Sequence, residues 1–181
     1  KTTLAQPLID FIEKSDDDCF VSPITGERLI VKKTLLIVVD THKADFVDSK
    51  NVYDKAQSVI VIDHHRKTVD YINNAVIFYH EPHASSACEM VTELLQYINK
   101  RPVADSLCAT ALMSGIMLDT KEFVLRAGVR TFEAAAYLRK KGANTLTVKE
   151  MFSGSIETYR EKVDIVCSSQ VYRGCAISFS K

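Results

Sequence analysis

Two apolar runs, each closed by an aspartate, constrain the fold of this chain more than any other feature. Leu35-Leu36-Ile37-Val38-Val39 ends at Asp40, and Ser58-Val59-Ile60-Val61-Ile62 ends at Asp63. Unbroken β-branched and aliphatic runs of this length read as strands buried on both faces, the habit of parallel sheets. The polar, partly helical stretch between them completes a βαβ unit, so the expected class is α/β, a parallel sheet flanked by helices. Ligands of such sheets bind beyond the carboxyl ends of the strands, where Asp40 and Asp63 both stand. A single polar residue after a strand is ordinarily a turn former. Its recurrence after two strands points to a site.

The remaining punctuation is consistent with this class. Helical spacing of Leu4, Leu8, Phe11 and Ile12 predicts a helix over 3–14, and Asp16-Asp17-Asp18 read as a solvated turn within a loop at 15–33 holding at most one short element. Val76 to Tyr79 is the expected third strand, and Ser85-Ser86 with Glu89 resembles a cap before a helix at 86–98. Residues 103–117 are apolar nearly all round, as in a helix packed on several sides, and lead to Leu118-Asp119-Thr120. Thr131 is the expected cap of a helix over 132–141 closed by Gly142. A helix at 155–170 and a strand from Val171 to Phe179 complete the reading.

Composition narrows the function. A share of 46% hydrophobic and 25% charged residues in 181 fits one globular unit. Lys plus Arg and Asp plus Glu balance at 23 each, so no net field draws in a polyanion, and general nucleic-acid binding is not expected. Five cysteines without C-x-x-C or a zinc spacing indicate reduced thiols in a cytoplasmic domain, Cys88 and Cys108 as small core residues. No apolar run approaches the roughly 20 residues of a membrane span, so no membrane contact is expected here.

The chemistry centres on Asp63-His64-His65, where adjacent imidazoles beside a carboxylate at a strand end supply metal ligands and proton-handling groups together. The alternative is a polar turn with hydrogen-bonded imidazoles, but its placement after Val59 to Ile62 is the context that a metal site requires. Asp119 closes an apolar helix at the negative end of the helix dipole, a placement that a cation would relieve. Carboxylate with imidazole favours a hard or borderline divalent ion, manganese, magnesium, iron or zinc. Ser85 and Ser86 are candidate phosphate contacts at a helix start, against plain capping. Arg126 and Arg130, flanking Gly128, are candidate bidentate phosphate ligands, against a structural role. His80 and His83 lie near enough in sequence for a site role.

Val39-Asp40-Thr41, Asp63-His64-His65 and Leu118-Asp119-Thr120 together resemble the second, third and fourth motifs of the DHH phosphoesterases. TLLIVVDTHKADFVDS at 34–49, VIDHHRK at 61–67, EPHASSACEMVTELLQY at 81–97 and LDTKEFVLRAGVRTFEAAAYLRKKGA at 118–143 are most similar to the GdpP-type cyclic di-AMP phosphodiesterases. The resemblance covers roughly residues 20–165. It implies a DHH domain over 1–150, then at 151–181 a linker helix and the beginning of a DHHA1-like domain. It also implies two divalent metals, manganese, with Asp40 bridging them and His64 and Asp119 completing one shell. His65 would face the phosphate, and Asp63 would orient a histidine. The activity implied is hydrolysis of cyclic di-AMP to linear pApA by metal-activated water. A DHH phosphatase of pAp or oligonucleotides shares these ligands, and a catalytically incomplete nucleotide-sensing module is a further alternative.

Two departures accompany the likeness. No H-x-x-x-D-x-D stands in this sequence, since the first of its five histidines is His42. Nor does the family's Gly-rich loop ending in His. His83 also replaces an expected Tyr. The expectation is a piece of a longer, membrane-anchored protein holding part of the metal centre, weakly active or inactive by itself, with room for a homodimer.

Overall fold

The computed structural model of the chain describes residues 6–14, 19–98 and 105–179. The expected helix start at 3–5, the acid triplet at 16–18 and residues 103–104 lie outside the described residues.

Strands β1 (Leu35–Val39), β2 (Ser58–Asp63) and β3 (Ile77–His80) form a parallel sheet in the order β1-β2-β3. Residue pairs Val39↔Ile62 and Asp63↔His80 bring the ends of all three strands to one edge. This is the expected α/β architecture, and it sets Asp40, Asp63 and His80 side by side.

Each face of the sheet is covered differently. Leu36 and Val38, in register with Val59 and Val61, face a core with Ile72, Tyr53 and Ala56. The other face of β2, Ile60 and Ile62, packs on Ala84 and Met90. Only β2 meets the expectation of burial on both faces. Leu35, Ile37 and Val39 remain 49%, 54% and 50% exposed, because no described helix extends across β1 on that side.

A helical layer lies beyond β2. Helix α4 (Ala87–Tyr97) contacts β2 and packs on α5 (Ser106–Asp119) and α6 (Val129–Lys140), and α5 also packs on α7 (Thr145–Met151). The apolar circumference of α5 follows from this central position: Ala109, Met113 and Ile116 are buried with Leu138 of α6 and Val148 of α7. Helix α6 begins earlier than its sequence suggests. Gly128 is the N-cap, and Thr131 sits one turn inside, its Oγ1 accepting the Gly128 N–H at 3.0 Å.

Peripheral elements complete the chain. Helices α1 (Gln6–Glu13), α2 (Pro23–Leu29) and α3 (Lys50–Lys55) are short, with a single 3-10 turn at Ala44–Phe46. Helix α8 (Ile156–Cys167) leads to a hairpin of β4 (Gln170–Tyr172) and β5 (Cys175–Ile177), where a continuous strand was expected. Arg173 and Gly174, at φ 49° and 79°, form the turn that splits it, a conformation suited to two-residue hairpins. Among the described residues no helix is long and apolar enough to cross a membrane.

Candidate metal centre

Asp40 leaves β1 in the left-handed region, at φ 63°. Aspartate tolerates this conformation better than most residues, yet it still costs about 1–2 kcal/mol. Its N–H donates to Ile62 O at 3.0 Å, which holds the kink against β2 and lifts the carboxylate over the sheet edge. A second left-handed stretch follows α5, at Lys121, Glu122, Phe123 and Arg126. The buried Thr120 fixes it, accepting the Phe123 N–H at its Oγ1 and the Leu125 N–H at its carbonyl. This turn carries Arg126 back over the last residue of α5, Asp119.

Three ligand atoms converge between these kinks. His64 Nε2 lies 3.3 Å from Asp40 Oδ1 and 3.9 Å from Asp119 Oδ2. The other imidazole nitrogen, Nδ1, donates to Ala84 O at 3.3 Å, so Nε2 is the nitrogen left to bind. The Asp40 carboxylate, and against it burial, raises the pKa of His64. Burial, then the nearby Asp40 carboxylate, raises that of Asp119. Two carboxylates flank one imidazole nitrogen, and Asp40, His64 and His65 offer ligand atoms that all lie within 4.8 Å of one another. A divalent cation fits that donor set, and the carboxylate and imidazole atoms match the preferences of manganese, magnesium or zinc. The Cys88 thiol stands apart: burial, then Asp119 and Asp40, push it up to about 12.

Asp63 behaves differently from Asp40. It is buried, and its Oδ1 receives His65 N–H at 3.3 Å and His65 Nδ1 at 2.8 Å, while Oδ2 pairs with His42 Nδ1. Burial raises its pKa, but the hydrogen bonds from His65 and His42 outweigh burial and lower it. An ionised Asp63 only accepts, so both histidines carry their proton on Nδ1. His65 then keeps Nε2 as an unprotonated acceptor. His42 keeps Nε2 for the Thr68 N–H, which donates to it at 3.2 Å.

A cleft of about 380 Å³ opens over this cluster, lined by Asp40, His64, His65, Arg66, Ser85, Asp119 and Arg126. Two arginines beside three potential ligands suit a phosphate held against a cation.

The family model for the DHH family, N-terminal domain, matches residues 4–116. The chain belongs to the DHH family. It is 43% identical over 159 residues to the cyclic-di-AMP phosphodiesterase PdeA of Listeria monocytogenes serotype 1/2a (strain 10403S), covering 87% of this chain and 24% of that protein. To the cyclic-di-AMP phosphodiesterase GdpP of Bacillus subtilis (strain 168) it is 39% identical over 170 residues, 93% of this chain and 26% of that protein. The chain thus spans about a quarter of the length of these relatives. Its fold is similar to that of an exopolyphosphatase-related protein from Bacteroides fragilis, at TM-score 0.71 and 18% identity, covering 94% of this chain and 58% of that one.

Within this DHH domain the sequence-derived residues separate into groups. Asp40, His64, His65, Asp119, Ser85 and Arg126 share the cleft. Asp63 lies beneath it as an orienting residue. Ser86 is turned away, capping α4 by accepting the Glu89 N–H at 3.0 Å. Arg130 does not reach the cleft. It is bidentate on Glu93, at 2.8 and 2.7 Å, and 3.8 Å from Glu81, a bridge between α6 and α4 in place of the expected phosphate contact. His80 Nε2 donates to His65 O at 2.6 Å, and His83 is exposed.

Sequence reasoning missed His42 and Arg66. Asp40-Thr41-His42 mirrors Asp63-His64-His65 as a strand-end acid with a histidine close behind, the signal that identifies His42. Arg66 directly follows the histidine pair, where a positive charge beside a phosphate site is readable from position alone.

Proposed function

We propose that this DHH domain is the metal-binding, phosphate-facing part of a cyclic di-AMP phosphodiesterase that yields linear pApA. The observation that carries the reading is the convergence of His64 Nε2, Asp40 Oδ1 and Asp119 Oδ2 under Arg66 and Arg126. The naming of two relatives as cyclic-di-AMP phosphodiesterases supports the substrate. The residues of this cluster would hold divalent metal, manganese by our reading, which when bound would supply water activation and charge neutralisation at a phosphodiester.

Each residue has a role within this reading. Asp40, His64 and Asp119 would hold the metal, Asp40 offering a side chain that is 58% exposed. Asp63 holds the His65 proton on Nδ1, which leaves Nε2 to accept a proton beside the phosphate. Arg126 grips the phosphate, and Ser85 bounds the cleft behind it.

The test joins calorimetry to product analysis. Manganese titrated into the chain binds, and Asp40→Ala abolishes the binding; unchanged binding in that variant overturns the metal assignment. Among cyclic di-AMP, pApA and pAp, the full-length protein turns over cyclic di-AMP fastest. Faster cleavage of pAp overturns the substrate.

A further inference from the structure

Glu89 has no part in the centre described above, yet it is only 1% exposed, in the first turn of α4. Three donors converge on its Oε2: Ser85 Oγ at 2.5 Å, Ser85 N–H at 3.3 Å and Thr131 Oγ1 at 2.6 Å. Burying a carboxylate is costly unless it is hydrogen-bonded, and an apolar residue of similar volume is often the more stable choice. Stability alone therefore does not account for Glu89. The donors' locations do.

The Ser85 N–H belongs to the same peptide group as the Ala84 carbonyl, which accepts the His64 Nδ1 proton at 3.3 Å. One peptide plane is thus held by Glu89 at its N–H and holds His64 at its C=O. Thr131, on the other side, accepts the Gly128 N–H at 3.0 Å and anchors the end of the turn that carries Arg126. Glu89 Oε2 is the joint between the loop that aims a metal ligand and the loop that carries a phosphate-facing arginine.

We propose that Glu89 is a positioning residue that fixes the tautomer and aim of His64, and its separation from Arg126, through the Ala84–Ser85 peptide and Thr131. This rests on the reading of Asp40, His64 and Asp119 as the metal centre. Bonds polarise one another along such a chain, so losing the acceptor at one end weakens the hold on the imidazole at the other.

The experiment compares Glu89→Ala and Glu89→Gln with Val148→Ala, a buried core truncation in α7, by manganese calorimetry and by imidazole nitrogen NMR of the metal-free chain. Glu89→Ala weakens manganese binding severalfold, less than the about 10- to 100-fold of losing a partner that bonds the ligand directly. At a pH above the raised value of His64, where the ring is neutral, it also turns His64 from the Nδ1–H form to a tautomer mixture. Glu89→Gln, whose amide oxygen still accepts, recovers most of both, and Val148→Ala moves neither. Unchanged affinity and unchanged His64 signals in Glu89→Ala overturn the proposal, as does equal weakening in Val148→Ala, which marks a general loosening. If Glu89→Ala does not fold, Thr131→Val is read in its place, with a severalfold loss expected and no change overturning the idea. If Asp40→Ala leaves manganese binding intact, the metal centre itself fails. The metal-free His64 signals then still decide whether Glu89 governs that imidazole.

Discussion

His64 and Asp119 hold protons more tightly than their ordinary values allow, and Asp63 less tightly, within one small cluster. The signs predict how the domain responds to pH. A histidine raised above 6.5 contributes stability that is full below that value and lost as pH climbs through its raised value. Metal-free protein should therefore lose stability as pH rises above 6.5 and through the raised value of His64. Manganese-loaded protein should not, since the cation replaces the proton, and manganese affinity should rise over the same interval. Thermal unfolding with chelator and with manganese checks this; parallel curves would refute it. Asp63 acts at the acid end, where its contribution is lost as pH falls below 3.8 through its depressed value. The arginines separate similarly. Arg126→Ala should weaken cyclic di-AMP binding about tenfold or more, as for a lost charge-assisted bond, and Arg130→Ala less than about twofold, as for a rim pair. Equilibrium binding in the presence of manganese distinguishes them.

At the scale of elements, the approach of α4 to α5 depends on one glycine. A Cβ on Gly115 would lie 2.2 Å from Cys88 Sγ and 3.1 Å from Cys88 Cβ. Alanine is the better helix former by about 1 kcal/mol, but overpacking costs about 1–3 kcal/mol, and the clash should win. Gly115→Ala is expected to lower stability to chemical denaturation, and adding Cys88→Ala to restore part of it. A neutral Gly115→Ala would show that the helices separate without cost. What was legible in the sequence follows from how local each signal is. Asp40, Asp63-His64-His65 and Asp119 were readable because apolar runs place their own ends. The partnerships His42–Asp63, Arg130–Glu93 and Thr131–Glu89 join residues 21, 37 and 42 apart, and no local pattern announces them. Helix α7 escaped notice because seven residues are too few for periodicity, although Asn144 caps it by accepting two N–H groups. Helix α2 carried a signal that was not used, Ser22 as cap with Pro23 in the first turn. Exposure of β1 was illegible because its residues match those of β2, and only the extent of α4 decides which strand is covered.

At the scale of the whole molecule, burial among the described residues ends at α7. The last buried residue is Val148 in α7, while α8, β4 and β5 contain no buried residue among those described. Helix α8 nonetheless begins with a formed cap, Ser155 Oγ accepting the Thr158 N–H at 3.2 Å, and Ser178 Oγ donates to Ile165 O at 2.9 Å, so helix and hairpin hold to each other. On this basis we propose a division near residue 150, with the sheet and the α4–α7 layer as one cooperative unit and the helix and hairpin outside it. Removing residues 155–181 should then shift stability by no more than about 0.5 kcal/mol, the range of surface changes that touch no core. Manganese affinity should be unchanged, since Asp40, His64 and Asp119 are held by β1, β2 and α5. Denaturant titration and calorimetry of the shortened chain provide the check. A marked loss of stability would mean that Ile156, Tyr159 or Val163 packs on the core, and a loss of manganese binding alone would mean that the hairpin reaches the centre.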